Sequence, residues 1–181
     1  MFAWIQEIDW GILHWIHNTL QCGALDFLMP KLTALGNGGA VWVVAAAALT
    51  VSKKYRRYGI AMFAALAAGV LIGNACLKNL VARPRPCWLE NVPLLIANPT
   101  DYSFPSGHTL SSVIGAAILT KANRKFGFAA IPLAALIAFS RLYLYVHFPS
   151  DVLASVVLGT AIGITAVSVA KAVKKRKRAS A

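Results

Sequence analysis

The sequence predicts an all-α protein, a polytopic membrane helix bundle of five or six transmembrane helices preceded by an N-terminal interfacial amphipathic helix. Three observations lead there. The 181 residues are 58% hydrophobic and only 13% charged, well outside the balance of an ordinary globular domain. Several apolar runs approach the roughly 20 residues that a membrane-crossing helix needs. The basic residues gather at three breaks between those runs instead of spreading over a surface.

The elements follow in order. Residues 1–22 carry Ile5, Ile8, Ile12, Trp15, Ile16 and Leu20 at helical spacing, with Glu7, Asp9, His14, His17 and Asn18 among them. That mixture suits a helix lying in the membrane surface, with Trp4, Trp10 and Trp15 near the headgroups; a sixth span is the alternative. No positive stretch precedes these residues and acids interrupt them, so a cleaved signal peptide is not expected. The run 38–51 reaches span length only by extending back through the Gly36-Asn37 break toward Asp26. Residues 59–77, 127–145 and 151–170 read as three clear spans, and 106–120 as a shorter one. At 1.5 Å per residue that last helix covers about 22 Å, less than a hydrocarbon core of roughly 30 Å, so it is expected to begin below the surface. Residues 171–181 form a basic tail, and 1–181 are read as one integral-membrane domain.

A net charge of +12 would suit nucleic acid, but its distribution argues against that partner. Four Lys or Arg lie in SKKYRRYG, three in KANRKFG and six between 171 and 178, all of them flanking spans. The positive-inside rule assigns these three points, and with them the C-terminus, to the cytoplasmic side. The loop 78–104 and the turn 146–150 then face outward. The tail is a topology determinant able to touch anionic lipid. Lys78, Arg83, Arg85 and Arg141 fall at the outer ends of spans, where that rule gives them no reason to be. Ionisable groups at such depth are functional candidates, and these cations call for an anion.

Three stretches supply a site. KNLVARPRP, 78–86, leaves a span and is stiffened by its prolines. FPSGH, 104–108, stands just before an apolar run. It offers an N-cap serine, a glycine that lets backbone approach a ligand, and free N–H groups at the positive end of a helix, an arrangement that binds phosphate. SRLYLYVHFPSD, 140–151, puts Arg141 near the end of its span, His147 in the turn and Asp151 four residues on. A carboxylate beside a histidine fixes its tautomer and stabilises the imidazolium. Taken singly, each has an ordinary structural reading: a snorkelling basic cluster, a capped helix with a satisfied histidine, a structural His-Asp hydrogen bond. Their common membrane face is what points to a phosphate site.

Lys78-x6-Arg85-Pro86, Pro105-Ser106-Gly107-His108 and Ser140-Arg141-x5-His147-x3-Asp151 resemble the three-part signature of the type 2 phosphatidic acid phosphatase superfamily, in order and in internal spacing. The motifs span 78–151, and the helical layout extends the likeness over most of the chain. The resemblance implies a phosphatase working through a phosphohistidine, with His147 as nucleophile, Asp151 as its orienting partner and His108 as general acid and then base. It implies a phosphate clamp of Lys78, Arg85 and Arg141, completed by Ser106 and the Gly107 N–H. It implies no cofactor and no metal. The residues agree, since the six acids Glu7, Asp9, Asp26, Glu90, Asp101 and Asp151 form no oxygen-rich cluster of the kind Mg²⁺ prefers.

The implied substrate is a lipid phosphate or diphosphate, undecaprenyl diphosphate first, hydrolysed to undecaprenyl phosphate and inorganic phosphate. The implied setting is the outer, periplasmic or extracellular, face of a bacterial cytoplasmic membrane. Phosphatidylglycerol phosphate and phosphatidic acid are the alternatives. A membrane transporter is a remoter one, disfavoured because no internal repeat is found. Expected partners are the substrate and membrane lipids, with no obligatory protein partner. Outside the signature, Arg83 is read as snorkelling, with a contact to the second phosphate of a diphosphate as the alternative. Glu90 and Asp101 are read as solvating the outer loop, His14 and His17 as interfacial polar residues, and Asn37 and Asn74 as hydrogen-bonding between helices. Cys22 and Cys87 fall on the outer side, where an oxidising compartment would allow them to pair.

Overall fold

Glycines, prolines and basic turns cut the apolar chain into helices. The structure, a computed structural model, describes residues 3–179, and every regular element among them is helical. Helix α1 is Ala3–Leu20, α2 is Gly23–Leu35 and α3 is Ala40–Val51. Between α2 and α3 one tight turn, Asn37–Gly39, holds Gly38 at φ +57° and Gly39 at φ +71°, left-handed backbone that breaks the helix. The two halves meet at 46°. Helix α4, Arg56–Gly69, widens into a π-helical stretch, Val70–Leu77, and closes with α5, Lys78–Val81. Ala82 in the left-handed region ends it, and Pro84 and Pro86 keep the chain from resuming at once. One turn, α6 (Pro86–Leu89), precedes an irregular loop. Helices α7 (Gly107–Ala122), α8 (Arg124–Tyr143) and α9 (Pro149–Ala179) complete the chain.

Helix α7 lies at the centre, packed by α4, α8 and α9, with Leu110, Ile114 and Ile118 buried. Small residues let backbones close on it, the usual means of association where lipid removes the hydrophobic drive. Trp42 lies flat on Gly115, where a Cβ would come 2.3 Å from the indole, and its Nε1 donates to Ser112 Oγ at 3.0 Å. On the other flank a Cβ at Gly159 would come 3.0 Å from the Leu110 carbonyl oxygen. The outward faces stay apolar, with Val44, Leu71, Phe128, Leu153 and Val157 exposed.

Three helical stretches are long and apolar enough to cross a membrane: Arg56–Leu89, Arg124–Tyr143 and Pro149–Val173. The bent pair Gly23–Leu35 and Asn37–Val51 makes a fourth if it counts as one span. By length and composition, then, three or four of the five or six expected spans are found. The 16 residues of α7 fall short, as its sequence led one to expect. Helix α1 forms where amphipathic spacing required it, but it packs against α8 and α9 and buries Asp9 along with Leu13 and Ile16.

Two of the three basic breaks share one end of the bundle. Asn123 Nδ2 donates to Tyr55 OH at 3.3 Å, and the Tyr55 and Phe126 rings meet edge to face. Residues 1–2 of the expected interfacial helix and 180–181 of the expected tail lie outside the described residues. Cys22, Cys76 and Cys87 are free thiols.

Candidate active site

The end of the bundle opposite those breaks gathers the chemistry. After the left-handed Ala82, the proline-flanked chain is extended at Arg85 (φ −80°, ψ 154°), which turns its guanidinium inward. Arg85 is 2% exposed; its Nη1 donates to the Val146 carbonyl at 2.6 Å and lies 3.1 Å from His147 Nε2. Its Nε donates to the Asp101 carbonyl oxygen and its Nη2 to Asp101 Oδ1, both at 2.6 Å. Lys78, buried one turn before the break, donates its Nζ to Asp101 Oδ2. Arg141, at the end of α8, donates to Thr33 Oγ1 at 2.6 Å, and its Nε finds no partner among the described residues.

The tight α8–α9 turn carries His147, 1% exposed. Its Nδ1 faces Asp151 Oδ2 at 3.6 Å and Ser103 Oγ at 3.4 Å. The same Asp151 oxygen accepts from Ser103 Oγ and from the Phe148 N–H at 2.9 Å. With the acid on the Nδ1 side, that nitrogen carries the proton and Nε2 presents a lone pair. Burial pushes the ring down to about 3 against the pull of the Asp151 hydrogen bond, and Arg85 and Arg141 push the same way. The ring is therefore a neutral base at ordinary pH.

Helix α7 begins in the same place. Ser106 caps it, accepting from Thr109 N at 3.5 Å and Thr109 Oγ1 at 3.0 Å. Gly107 lies so close to Asn74 that a Cβ would come 3.1 Å from Asn74 Oδ1, and His108 Nε2 lies 2.9 Å from Asn37 Oδ1. A cavity of about 720 Å³ is lined by Lys78, Arg85, His108, Arg141 and His147, and also by apolar Leu66, Val70 and Ile114. Both histidines thus open onto one space, beside three cations and the first turn of a helix. Such a space can hold a tetrahedral anion, present it to an imidazole lone pair and offer a second imidazole for proton transfer.

Not every expected site residue faces that space. Asp151 stands on the Nδ1 side of His147 and is not part of the cavity lining. Ser106 is fully buried and absent from the cavity lining, and its hydroxyl oxygen caps α7 by accepting from Thr109 N and Oγ1. Arg83 does not snorkel and is not part of the cavity lining. It is 5% exposed and forks between Asp151 Oδ1 at 2.6 Å and Asp9 Oδ2 at 2.7 Å. Asp101 and Glu90 do more than solvate a loop, since Asp101 holds Lys78 and Arg85 while Glu90 accepts from Tyr145 OH at 2.6 Å and lies 3.0 Å from His14 Nε2. Burial would raise the Asp101 carboxyl, but Lys78 and Arg85 outweigh that and hold it at about 2. Among the described residues no three His, Cys, Asp or Glu side chains group as metal ligands would.

Sequence reasoning missed Asp9, Asp101 and Ser103. For Asp9 a signal existed, because it shares the i, i+4, i+7 stripe of Leu13 and Ile16, and an acid on an apolar stripe marks a buried ion pair. For Asp101 and Ser103, in an irregular loop, none did.

The family model of the PAP2 superfamily matches residues 55–175. Among curated proteins, an undecaprenyl-diphosphatase of Sulfolobus acidocaldarius is 34% identical over 154 residues, covering 84% of this chain and 74% of that protein. The undecaprenyl-diphosphatase BcrC of Bacillus subtilis is 34% identical over 153 residues, covering 84% and 76%. Among solved structures, a transmembrane PAP2 type phosphatidylglycerolphosphate phosphatase from Bacillus subtilis superposes with a TM-score of 0.77 at 24% identity, over 94% of this chain and 88% of the other.

Proposed function

The chain belongs to the PAP2 superfamily of phosphatases, and on that premise we propose that it hydrolyses undecaprenyl diphosphate to undecaprenyl phosphate and inorganic phosphate through a phosphohistidine. One observation carries the reading: His147, His108 and the cations Lys78, Arg85 and Arg141 border one cavity whose lining also includes apolar Leu66, Val70 and Ile114. Lys78, Arg85 and Arg141 meet the nonbridging oxygens of the terminal phosphate, displacing the Asp101 carboxylate, and the Gly107 N–H adds a backbone donor. Nε2 of His147 attacks phosphorus in line. The P–N bond forms as the bond to the bridging oxygen breaks, and His108 gives that oxygen its proton. Asp151 supports the cationic ring across Nδ1. His108, now a base, takes a proton from water whose oxygen displaces the imidazole, releasing phosphate and restoring both rings.

Charge neutralisation by side-chain cations leaves no role for a divalent metal, so turnover is expected to persist in EDTA. The charge distribution supports a site on the outer face of the cytoplasmic membrane, with the C-terminus inside. The apolar part of the cavity lining supports a lipid-borne phosphate, and the positive breaks are satisfied by five spans, or by six if α1 crosses. The test is phosphate release by purified protein from undecaprenyl diphosphate, phosphatidylglycerol phosphate and phosphatidic acid, each with EDTA. The diphosphate should give the highest kcat/KM, and His147→Ala should release none. Preference for either phospholipid would overturn the substrate. Full activity in His147→Ala would overturn the nucleophile.

A further inference from the structure

We infer that Asp9, on α1, is a positioning residue for phosphoryl transfer: through Arg83 it fixes the Asp151 carboxylate against His147. The inference rests on the reading of His147 as nucleophile. It brings into the reaction a helix that lies outside the residues matched by the family.

Asp9 is 2% exposed and receives three donors. Arg83 Nη2 reaches its Oδ2 at 2.7 Å, Ser150 Oγ reaches the same oxygen at 2.5 Å, and the Ser150 N–H reaches Oδ1 at 2.8 Å. It therefore caps the start of α9, the helix whose first turn carries Asp151. The other arm of Arg83, Nη1, donates to Asp151 Oδ1 at 2.6 Å and to Ser150 Oγ at 2.8 Å. Gln6 Oε1 accepts from Nη2 at 2.8 Å, and the guanidinium lies 3.9 Å over the Phe148 ring. Both Nη atoms of Arg83 are thus held by groups from α1 and from the start of α9, while its Nε finds no partner among the described residues. Arg83 leaves Asp151 Oδ2 for Ser103, the Phe148 N–H and the imidazole.

Charge balance says why a second carboxylate is needed. Arg83 paired with Asp151 alone would cancel the acid that has to support a cationic imidazole. With Asp9 also on the guanidinium, two carboxylates share one cation, and one negative charge is left over at the His147 end. Among the described residues no second cation bonds either carboxylate, so that charge meets the ring as it becomes cationic and favours the transition state over the resting site.

The experiment compares kcat and KM for phosphate release from undecaprenyl diphosphate by wild type, Asp9→Asn, Asp151→Asn and the double variant, with Ile16→Ala as a control. Ile16 packs α1 against Tyr143 and Leu144 without touching the charged chain. Asp9→Asn is expected to lower kcat about 30-fold, within the coupling range of interacting buried groups, while KM changes less than about 2-fold. In the Asp151→Asn background the same substitution should cost almost nothing further. Ile16→Ala should lower the thermal midpoint and leave kcat alone. Should Asp9→Asn not be recovered folded, Arg83→Lys carries the test, because one ammonium keeps the charge but cannot bridge both acids; it too should lower kcat and not KM. Wild-type kcat in either variant, or a loss undiminished by Asp151→Asn, overturns the inference while His147→Ala is inactive. Activity in His147→Ala would instead strike the nucleophile assignment.

Discussion

Arg83 and Arg85 stand two residues apart on one Arg-Pro-Arg-Pro stretch, yet they have opposite surroundings. Arg83 is closed in by Asp9 and Asp151, which are 2% and 0% exposed. Arg85 opens on the cavity, and its acid partner, Asp101, is 55% exposed on an irregular loop. The prolines make the split: an extended, polyproline-like chain has about three residues per turn, so side chains two apart diverge by roughly 120°. A buried carboxylate cannot leave its cation without stranding a charge. An exposed one can return to water and give its place to a phosphate. The first arginine is therefore built into the scaffold, and the second borders the cavity with a partner that can leave it.

That contrast can be broken, and the largest test is where the two arms meet. His147→Ala is expected to lower turnover by at least about 10⁴-fold, the scale of losing a nucleophile, measured as phosphate release; ordinary turnover would leave both arginines without a reaction to serve. Next comes the pair itself. Arg85→Ala should lower kcat/KM by about 10²- to 10³-fold, as loss of one oxyanion donor does, with little change in thermal midpoint. Arg83→Ala should destabilise the fold by about 3–5 kcal/mol, because two buried carboxylates lose their counter-ion, measured by thermal unfolding in detergent. Equal effects of the two changes on stability would erase the distinction.

Smaller and opposite in sign is the effect of Asp101. Asp101→Ala should tighten inhibition by vanadate up to about 10-fold, since a phosphate analogue no longer competes with an internal carboxylate; weaker inhibition would mean that Asp101 shapes the clamp rather than filling it. With a folded-state pKa of about 2, this group is depressed below its ordinary value. Its contribution to stability is thus complete above about pH 4 and is lost as pH falls toward 2. Between about pH 4 and 8 its competition with phosphate should be constant, so an inflection of KM there that disappears in Asp101→Ala would contradict the assignment.

Much of this could be read in one dimension. Helical spacing marked α1, the length of apolar runs marked α8 and α9, and the motifs around Lys78, His108 and His147 marked residues that the fold brings to one cavity. Asp9 was half legible, as an acid on an apolar stripe. Arg83 was misread because its character comes from partners at positions 9 and 151, far along the chain in both directions. Asp101 and Ser103 were silent, for an irregular loop has no period and nothing local aims a carboxylate at Lys78.

What the residue order settles unaided is whatever acts within a few turns: where apolar runs form helices, where glycine and proline stop them, and which cations have no topological excuse. Which acid meets which cation is a different matter, because charges attract at a distance without regard to spacing along the chain. Packing of α1 and the 90–106 loop onto the bundle had to choose, and it gave Arg83 a buried pair of carboxylates and Arg85 an exposed one.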